Sequence, residues 1–294
     1  MLITLTDPLS AWPVGPIGCR WGADVHNGAM PVSTTDEQRL AFGRVADLYE
    51  NARPSYPDRT IDELIALAGL RPGARVVEVG AGTGKATRLL AERGLAVLAL
   101  EPDPAMAAVA RRTCASHPLV EVVQIAFEAW RPQQPVSAVI SAQAWHWISP
   151  SLRYVRASEA LLPGGALASI WTFPDWSTMP LREGLRDSYS QTVPALLPHF
   201  PMHPASEPTD LAGDWHGEIA SCEGLSGAQV REHRWSLRYS TTAYLELLRT
   251  HQDHILLEPA RQQLLLSALS RVIDEAGGEI TVDFLTRLCV ARRV

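Results

Sequence analysis

The chain has 294 residues, of which 46% are hydrophobic, 20% charged and 7% aromatic, a globular balance that excludes a disordered or fibrous protein. Its formal net charge is -6 and Lys85 is its single lysine, so capture of a nucleic-acid backbone is not expected. No run approaches the roughly 20 apolar residues of a membrane-spanning helix, and residues 1–33 carry Asp7, Pro8, Pro13 and Gly15 where a secretion signal needs an unbroken apolar core. The expectation is a cytoplasmic monomer or homodimer that acts on a small molecule, with neither nucleic acid nor membrane as partner. Cys19, Cys114, Cys222 and Cys289 show no CxxC spacing, so they predict neither a zinc framework nor a disulfide scaffold.

Residues 1–33 are rich in Pro and Gly and read as an irregular arm, with Met30 a candidate start. Thr34 and Glu37 then form a capping-box pattern, and Leu40, Phe42, Val45, Leu48 and Tyr49 recur at helical spacing, predicting a helix over 35–51. Pro54 and Pro57 break it, and a second helix over 58–68 ends at Gly69. Five short apolar runs follow, at 74–80, 95–101, 119–125, 136–142 and 166–172, with helical stretches between them. They read as parallel strands buried on both faces, the mark of a doubly wound α/β sheet. Residues 173–228, which include Pro198, His199, Pro201, His203 and Pro204, read as an inserted lid or loop region. A strand over 229–240, two helical stretches over 241–276 and a last strand over 280–293 complete a seven-stranded sheet.

The most informative segment is VVEVGAGTGK, where a strand runs into Gly80, Gly82 and Gly84 and then into a helix. Glycines there permit positive φ and close approach of a ligand to the backbone. A dinucleotide site wants GxGxxG, and Lys85 takes the place of its last glycine; a P-loop wants GxxxxGK[ST], and Val79 and Ala86 break that pattern. The spacing Glu78, Gly80, Gly82, Gly84, with Glu101 at the end of the next strand, resembles the first motif of class I S-adenosylmethionine-dependent methyltransferases. AFGRVADLYENARPSYP, SAQAWHWI and LLPGGALASIW extend the likeness to the type 11 small-molecule subgroup over residues 40–293.

The resemblance implies a Rossmann-like methyltransferase domain over 34–294, divided into a helical cap (34–69), a cofactor-binding core (70–172), and a lid with the last two strands (173–294). It implies S-adenosylmethionine as cofactor. The turn Gly80, Ala81, Gly82, Thr83, Gly84 and the acid Glu78 would hold its methionine end. Glu101, next to Pro102 and followed by Met106, would accept from both ribose hydroxyls. Ala126, Phe127 and Glu128 fall where the family holds the adenine, although its usual Asp is missing. Tyr49, Arg53 and Tyr56 would cap the cofactor, with Arg53 pairing either with the methionine carboxylate or with Asp47 or Glu50 on its own helix.

Ser141, Ala142 and Gln143 close the fourth strand beside the departing methyl. Methyl transfer from a sulfonium is an in-line displacement, so alignment is the main task, and a base is needed only when the acceptor must lose a proton. His146 is the first candidate base, its alternative role being a helix cap or backbone partner; Tyr49 and Glu50 are the second. Trp130, Trp145, Trp147, Trp171 and Trp176 either wall an aromatic acceptor or belong to the core. His251 and His254 lie where they can line the acceptor side, and no metal is expected. The resulting function is methyl transfer to an O, N or C nucleophile of a small, aromatic secondary metabolite. A non-catalytic S-adenosylmethionine-binding protein is the alternative, and the glycine spacing disfavours a nicotinamide oxidoreductase.

Overall fold

The computed structural model describes residues 40–177, 179–199 and 215–294. The arm over 1–33, its candidate start at Met30, the Thr34–Glu37 capping box and most of the His/Pro-rich patch lie outside these residues.

A 3-10 turn, Ala41–Val45, leads into α1 (Ala46–Ala52), and α2 (Asp58–Ala68) follows the proline break. Gly69 closes α2 at φ +61°, and Leu70 N–H donates back to Ile65, the left-handed termination that glycine permits. β1 (Arg75–Val79), α3 (Lys85–Glu92), β2 (Ala96–Leu100), α4 (Pro104–Thr113), β3 (Val120–Val123), β4 (Val136–Ala142) and α5 (Pro150–Ala160) alternate as the apolar runs require. α4 has a strong start: the Asp103 carboxylate accepts from the Ala105 and Met106 amides, and Pro104 occupies the first turn.

β5 (Leu161–Asp175) runs longer at both ends than its apolar stretch. Among its described residues, the region expected to be a loose lid is largely regular. It contains α6 (Arg182–Thr192), a 3-10 turn (Pro194–His199) and α7 (Trp215–Ala220) before β6 (Leu225–Ser240). Leu185 and Tyr189 of α6 are buried against Leu265, Leu269 and Ile273, so this segment carries its own apolar core despite its prolines. Three helices rather than two follow, α8 (Thr241–Leu248), α9 (Gln252–Ile255) and α10 (Pro259–Glu275), and β7 (Glu279–Arg293) ends the sheet.

The strand order is β3-β2-β1-β4-β5-β7-β6. β1 to β5 are mutually parallel, and β7 inserts antiparallel between β5 and β6. The chain winds outward from β1 to β3, then returns to lay β4 on the other side of β1. That reversal leaves a crevice at the carboxyl ends of β1 and β4, the general ligand-binding place in open α/β sheets. One face of the sheet packs on Ile61, Leu64 and Leu90, the other on Trp145, Tyr154 and Leu161. Among the described residues no helix is long and apolar enough to cross a membrane.

Candidate cofactor and acceptor site

The turn after β1 folds as its glycines require. Gly80, Gly82 and Gly84 have φ of +70°, +59° and +86°. A Cβ on Gly80 would lie 2.4 Å from the Ala144 Cβ, whereas one on Gly82 would meet only the Met106 Cε at 3.6 Å. The amides of Gly80 and Ala81 donate to the Leu100 carbonyl, locking the turn onto β2. Glu101, expected at the ribose, fastens the turn: its Oε2 accepts from Gly82 N–H at 2.8 Å and its Oε1 from Asp103 N–H at 2.9 Å. It is buried and does not line the cavity described below. A carboxylate oxygen has two acceptor lone pairs, so this fastening leaves ribose recognition chemically open.

An expected result follows for this residue. Stability and S-adenosylmethionine affinity should both fall in the order wild type, Glu101→Gln, Glu101→Ala, because Gln leaves one backbone donor unpaired and Ala two, at about 1–3 kcal/mol for each. Melting curves of the unliganded protein check it. A flat stability series would show that these two bonds do not hold the turn.

A cavity of about 840 Å³, open solvent at its mouth included, lies at the crevice. Its floor is Glu78, Gly80, Ala81, Gly82 and Thr83. Glu78 is buried and accepts a hydrogen bond from Thr87 Oγ1 at 2.5 Å. Burial pushes its carboxyl up to about 8, with the Thr87 bond opposing and the nearby Glu101 adding to the rise. The Thr83 hydroxyl is buried at the same floor without a hydrogen-bond partner. A carboxyl in want of a cation and an unpaired buried hydroxyl suit the ammonium and polar groups of an amino-acid moiety.

Over this floor stands the cap. Tyr49, Arg53 and Tyr56 line the cavity, as the likeness implies. Arg53 pairs with neither Asp47 nor Glu50. Its Nε donates to Thr250 Oγ1 at 2.7 Å and its Nη2 to the Thr250 carbonyl at 3.0 Å, and its guanidinium lies 5.2 Å over the Tyr49 ring. Asp47 pairs with Arg112 instead. Glu50, a candidate proton acceptor, does not line the cavity: it sits between Arg88 Nη1 at 2.8 Å and Lys85 Nζ at 3.5 Å and clasps the cap to α3. Burial holds the Lys85 ammonium below its ordinary value, while Glu50 favours its charge. The lysine that broke the dinucleotide pattern thus serves the cap.

At the end of β4, Ser141 is fully buried and donates to the Val79 carbonyl, a strand tie that leaves the cavity to Ala142 and Gln143. Gln143 has φ +61°, the one positive φ of a non-glycine among the described residues. Its amide exchanges two hydrogen bonds with the Thr172 backbone, which supports this strained turn at the crevice. His146 lies apart: it does not line the cavity, and its ring is tilted at 42° to that of Trp147, with centroids 4.9 Å apart. Burial, with the Arg153 guanidinium adding to it, pushes its imidazole down to about 4. It is neutral at neutral pH and a weak base.

The residues assigned to the adenosine half lie outside this cavity. Met106 packs with Ala46, Val109, Phe42 and Tyr49 under the cap. Phe127 points into the core beside Trp130 and Trp145, so its ring is not presented to an adenine, and Glu128 accepts a long bond from Ser149 N–H. Ala126 and Pro102 are half-buried. Trp145 and Trp171 are core, Trp130 packs on that core and Trp147 meets Phe42. Only Trp176 of the five lines the cavity.

The far wall comes from the end of β5 and the residues after it, from α8 and the start of α9, and from the last strand: Pro174, Trp176, Tyr244, Leu248, His251 and Phe284, with Val282 beside them. Val282 and Phe284 escaped the sequence reading, although their alternation with Ile280 on the last strand places all three on one face. His251, Asp253 and His254 present ligand-type atoms within 4.8 Å of one another. Both ring nitrogens of His254 are already hydrogen-bonded, Nδ1 to Asp253 Oδ1 and Nε2 to the Tyr189 hydroxyl, each at 2.9 Å.

A sheet ordered 3-2-1-4-5-7-6 with an antiparallel seventh strand, joined to an acid-and-glycine turn over a capped crevice, is a Rossmann-like α/β fold with its site at the switch point. Comparison with known proteins agrees. Residues 76–165 match the family model described as a methyltransferase domain. An uncharacterized methyltransferase of Mycobacterium bovis is 40% identical over 139 residues, 47% of this chain and 55% of that protein. Trans-aconitate 2-methyltransferase of Mycobacterium tuberculosis is 32% identical over 114 residues, 38% of this chain and 42% of that protein. The chain thus spans about half the length of the curated relatives it matches. Among solved structures, a phosphoethanolamine N-methyltransferase of Haemonchus contortus superposes with a TM-score of 0.52 at 18% identity, over 89% of this chain and 60% of that one. Residues 76–165 thus match a methyltransferase domain, within a sheet of Rossmann-like methyltransferase fold.

Proposed function

We propose that the protein transfers the methyl group of S-adenosylmethionine to an O, N or C nucleophile of a small molecule with aromatic character, in the cytoplasm and as a step of secondary metabolism. The observation that carries this reading is the division of one cavity into two walls. The floor of Glu78, Gly80, Gly82 and Thr83, with Arg53 above, offers a carboxyl that an ammonium can ionise, close backbone, a hydroxyl and a cation, which match a zwitterionic methionine moiety. Among the described residues no carboxylate pairs with Arg53, so its charge is available to the ligand's carboxylate. When bound there, S-adenosylmethionine supplies an electrophilic methyl. The opposite wall of Trp176, Tyr244 and Phe284 suits a flat apolar acceptor. The two related enzymes named above act, by their names, on small molecules.

A furnished acceptor wall favours catalysis over mere cofactor binding. The test is transfer of labelled methyl from S-adenosylmethionine into low-molecular-weight extract fractions. Donor consumption with label in a small apolar product is expected; tight cofactor binding without donor consumption in any fraction would favour the binding protein.

A further inference from the structure

We propose that His251 is the group that accepts the proton of the methyl acceptor, and that Asp253, His254 and Tyr189 position it. This inference deepens the methyltransferase reading and rests on it. Among the described residues, His251 is the one histidine that lines the cavity. It is 6% exposed and caps α9 in extended backbone conformation. Its wall faces the floor of the glycine turn and Gln143, where β1 and β4 end. Thr250, the residue before it, holds Arg53, so cap and acceptor wall meet beside it.

Behind the ring stands His254, held at both of its nitrogens. The His254 ring stands at 89° to that of His251, with centroids 5.7 Å apart, and is itself wholly buried. Asp253 Oδ1 and the Tyr189 hydroxyl engage its two nitrogens, which fixes the ring from both sides. A carboxylate can only accept when ionised, so Nδ1 carries the proton and Nε2 accepts from Tyr189. The ligand-type atoms of His251 and Asp253 lie within 4.8 Å of each other, so a buried carboxylate stands ready to stabilise an imidazolium at His251. This arrangement serves an acceptor whose hydroxyl or amine must lose a proton. Its lone pair forms the bond to the methyl carbon, the carbon–sulfur bond breaks with its electron pair on sulfur, and the acceptor proton passes to His251 and from there to solvent. Methyl acceptor and S-adenosylmethionine become methylated product, S-adenosylhomocysteine and a proton.

An experiment without the acceptor tests the placement. S-adenosylmethionine carries a positive sulfonium and S-adenosylhomocysteine a neutral thioether, so a histidine beside the methyl position resists protonation only in the first complex. Calorimetric dissociation constants of both ligands, measured on the full chain between about pH 8 and about pH 6, should give a ratio (S-adenosylmethionine over S-adenosylhomocysteine) that rises roughly three- to fivefold as pH falls. Other titratable groups face the cavity or the ring: Glu78 and Lys85 at the floor, Glu50 behind Lys85, Tyr49, Arg53 and Tyr56 on the cap, Tyr244 on α8, and the supporting Asp253, His254 and Tyr189. Those at the methionine end act on both ligands alike and cancel in the ratio. His251→Asn should make the ratio constant, and Asp253→Asn should displace its rise to lower pH. A ratio constant with pH in the wild type, or one that rises equally in His251→Asn, overturns the assignment. Failure of both ligands to bind overturns the cofactor reading and this inference with it.

Discussion

Glu78→Gln is expected to raise the melting temperature of the unliganded protein by roughly 5 °C and to weaken S-adenosylmethionine binding about a hundredfold. Both effects arise from one buried carboxyl. Burial lifts Glu78 from an ordinary 4.5 to about 8. Between those values the unfolded chain releases a proton that the folded protein keeps, so native stability falls as pH rises through that window. Below about pH 4.5 the effect vanishes, and above about pH 8 it is complete, at up to roughly 5 kcal/mol. Gln cannot ionise, so its stability should stay level over the same range, and the gap between the two proteins should widen with pH. The ligand's ammonium reverses the balance: it pairs with the carboxylate, and binding near neutrality should release a proton, seen as a dependence of the calorimetric heat on buffer ionisation enthalpy. Equal affinity in wild type and Gln would remove Glu78 from the methionine end.

Two glycines of the turn should separate sharply. Gly82→Val adds a side chain where only the Met106 Cε stands within 4 Å, at 3.6 Å. The cost to the fold is the left-handed backbone at φ +59°, of order 1–3 kcal/mol, while the branched side chain takes the space beside the ligand and should abolish measurable binding. Gly80→Ala is the reverse case. Its Cβ would lie 2.4 Å from the Ala144 Cβ, and Ala144 adjoins Gln143, which two bonds to Thr172 hold in place. Neither backbone yields cheaply, so the smaller substitution should destabilise more, by about 3 kcal/mol or above. Thermal unfolding and calorimetry on both variants check the pair. A Gly82→Val protein that is folded and binds with unchanged affinity would reject the turn as the cofactor's seat.

The sheet was readable because inner strands such as β1 and β4 are buried on both faces, which writes them as continuous runs such as Val76–Val79 and Val136–Ala142, and because Gly69 and Asp103 carry unambiguous end signals. The lid was not, since α6 has a polar face and sits among prolines; its helicity depends on burying Leu185 and Tyr189 against α10, a contact more than 70 residues away in sequence. In the site, backbone-determined positions were legible: glycines at positive φ and an acid at the strand end follow from local chemistry. Side-chain direction was not. Glu101 turns to backbone amides, Glu50 to two cations, and Phe127 and His146 away from the cavity, because each found a partner or a core that spacing along the chain does not encode. The acceptor wall was missed in part because Val282 and Phe284 reach it only through the antiparallel insertion of β7.

Titration calorimetry of the purified chain with S-adenosylmethionine, S-adenosylhomocysteine and NAD tests the central claim most directly. The cavity predicts one saturable site for each of the first two, with a proton released near neutrality as Glu78 meets the ammonium, and no heat of binding with NAD. Saturable binding of NAD, or none of either S-adenosyl compound by a folded protein, would contradict it.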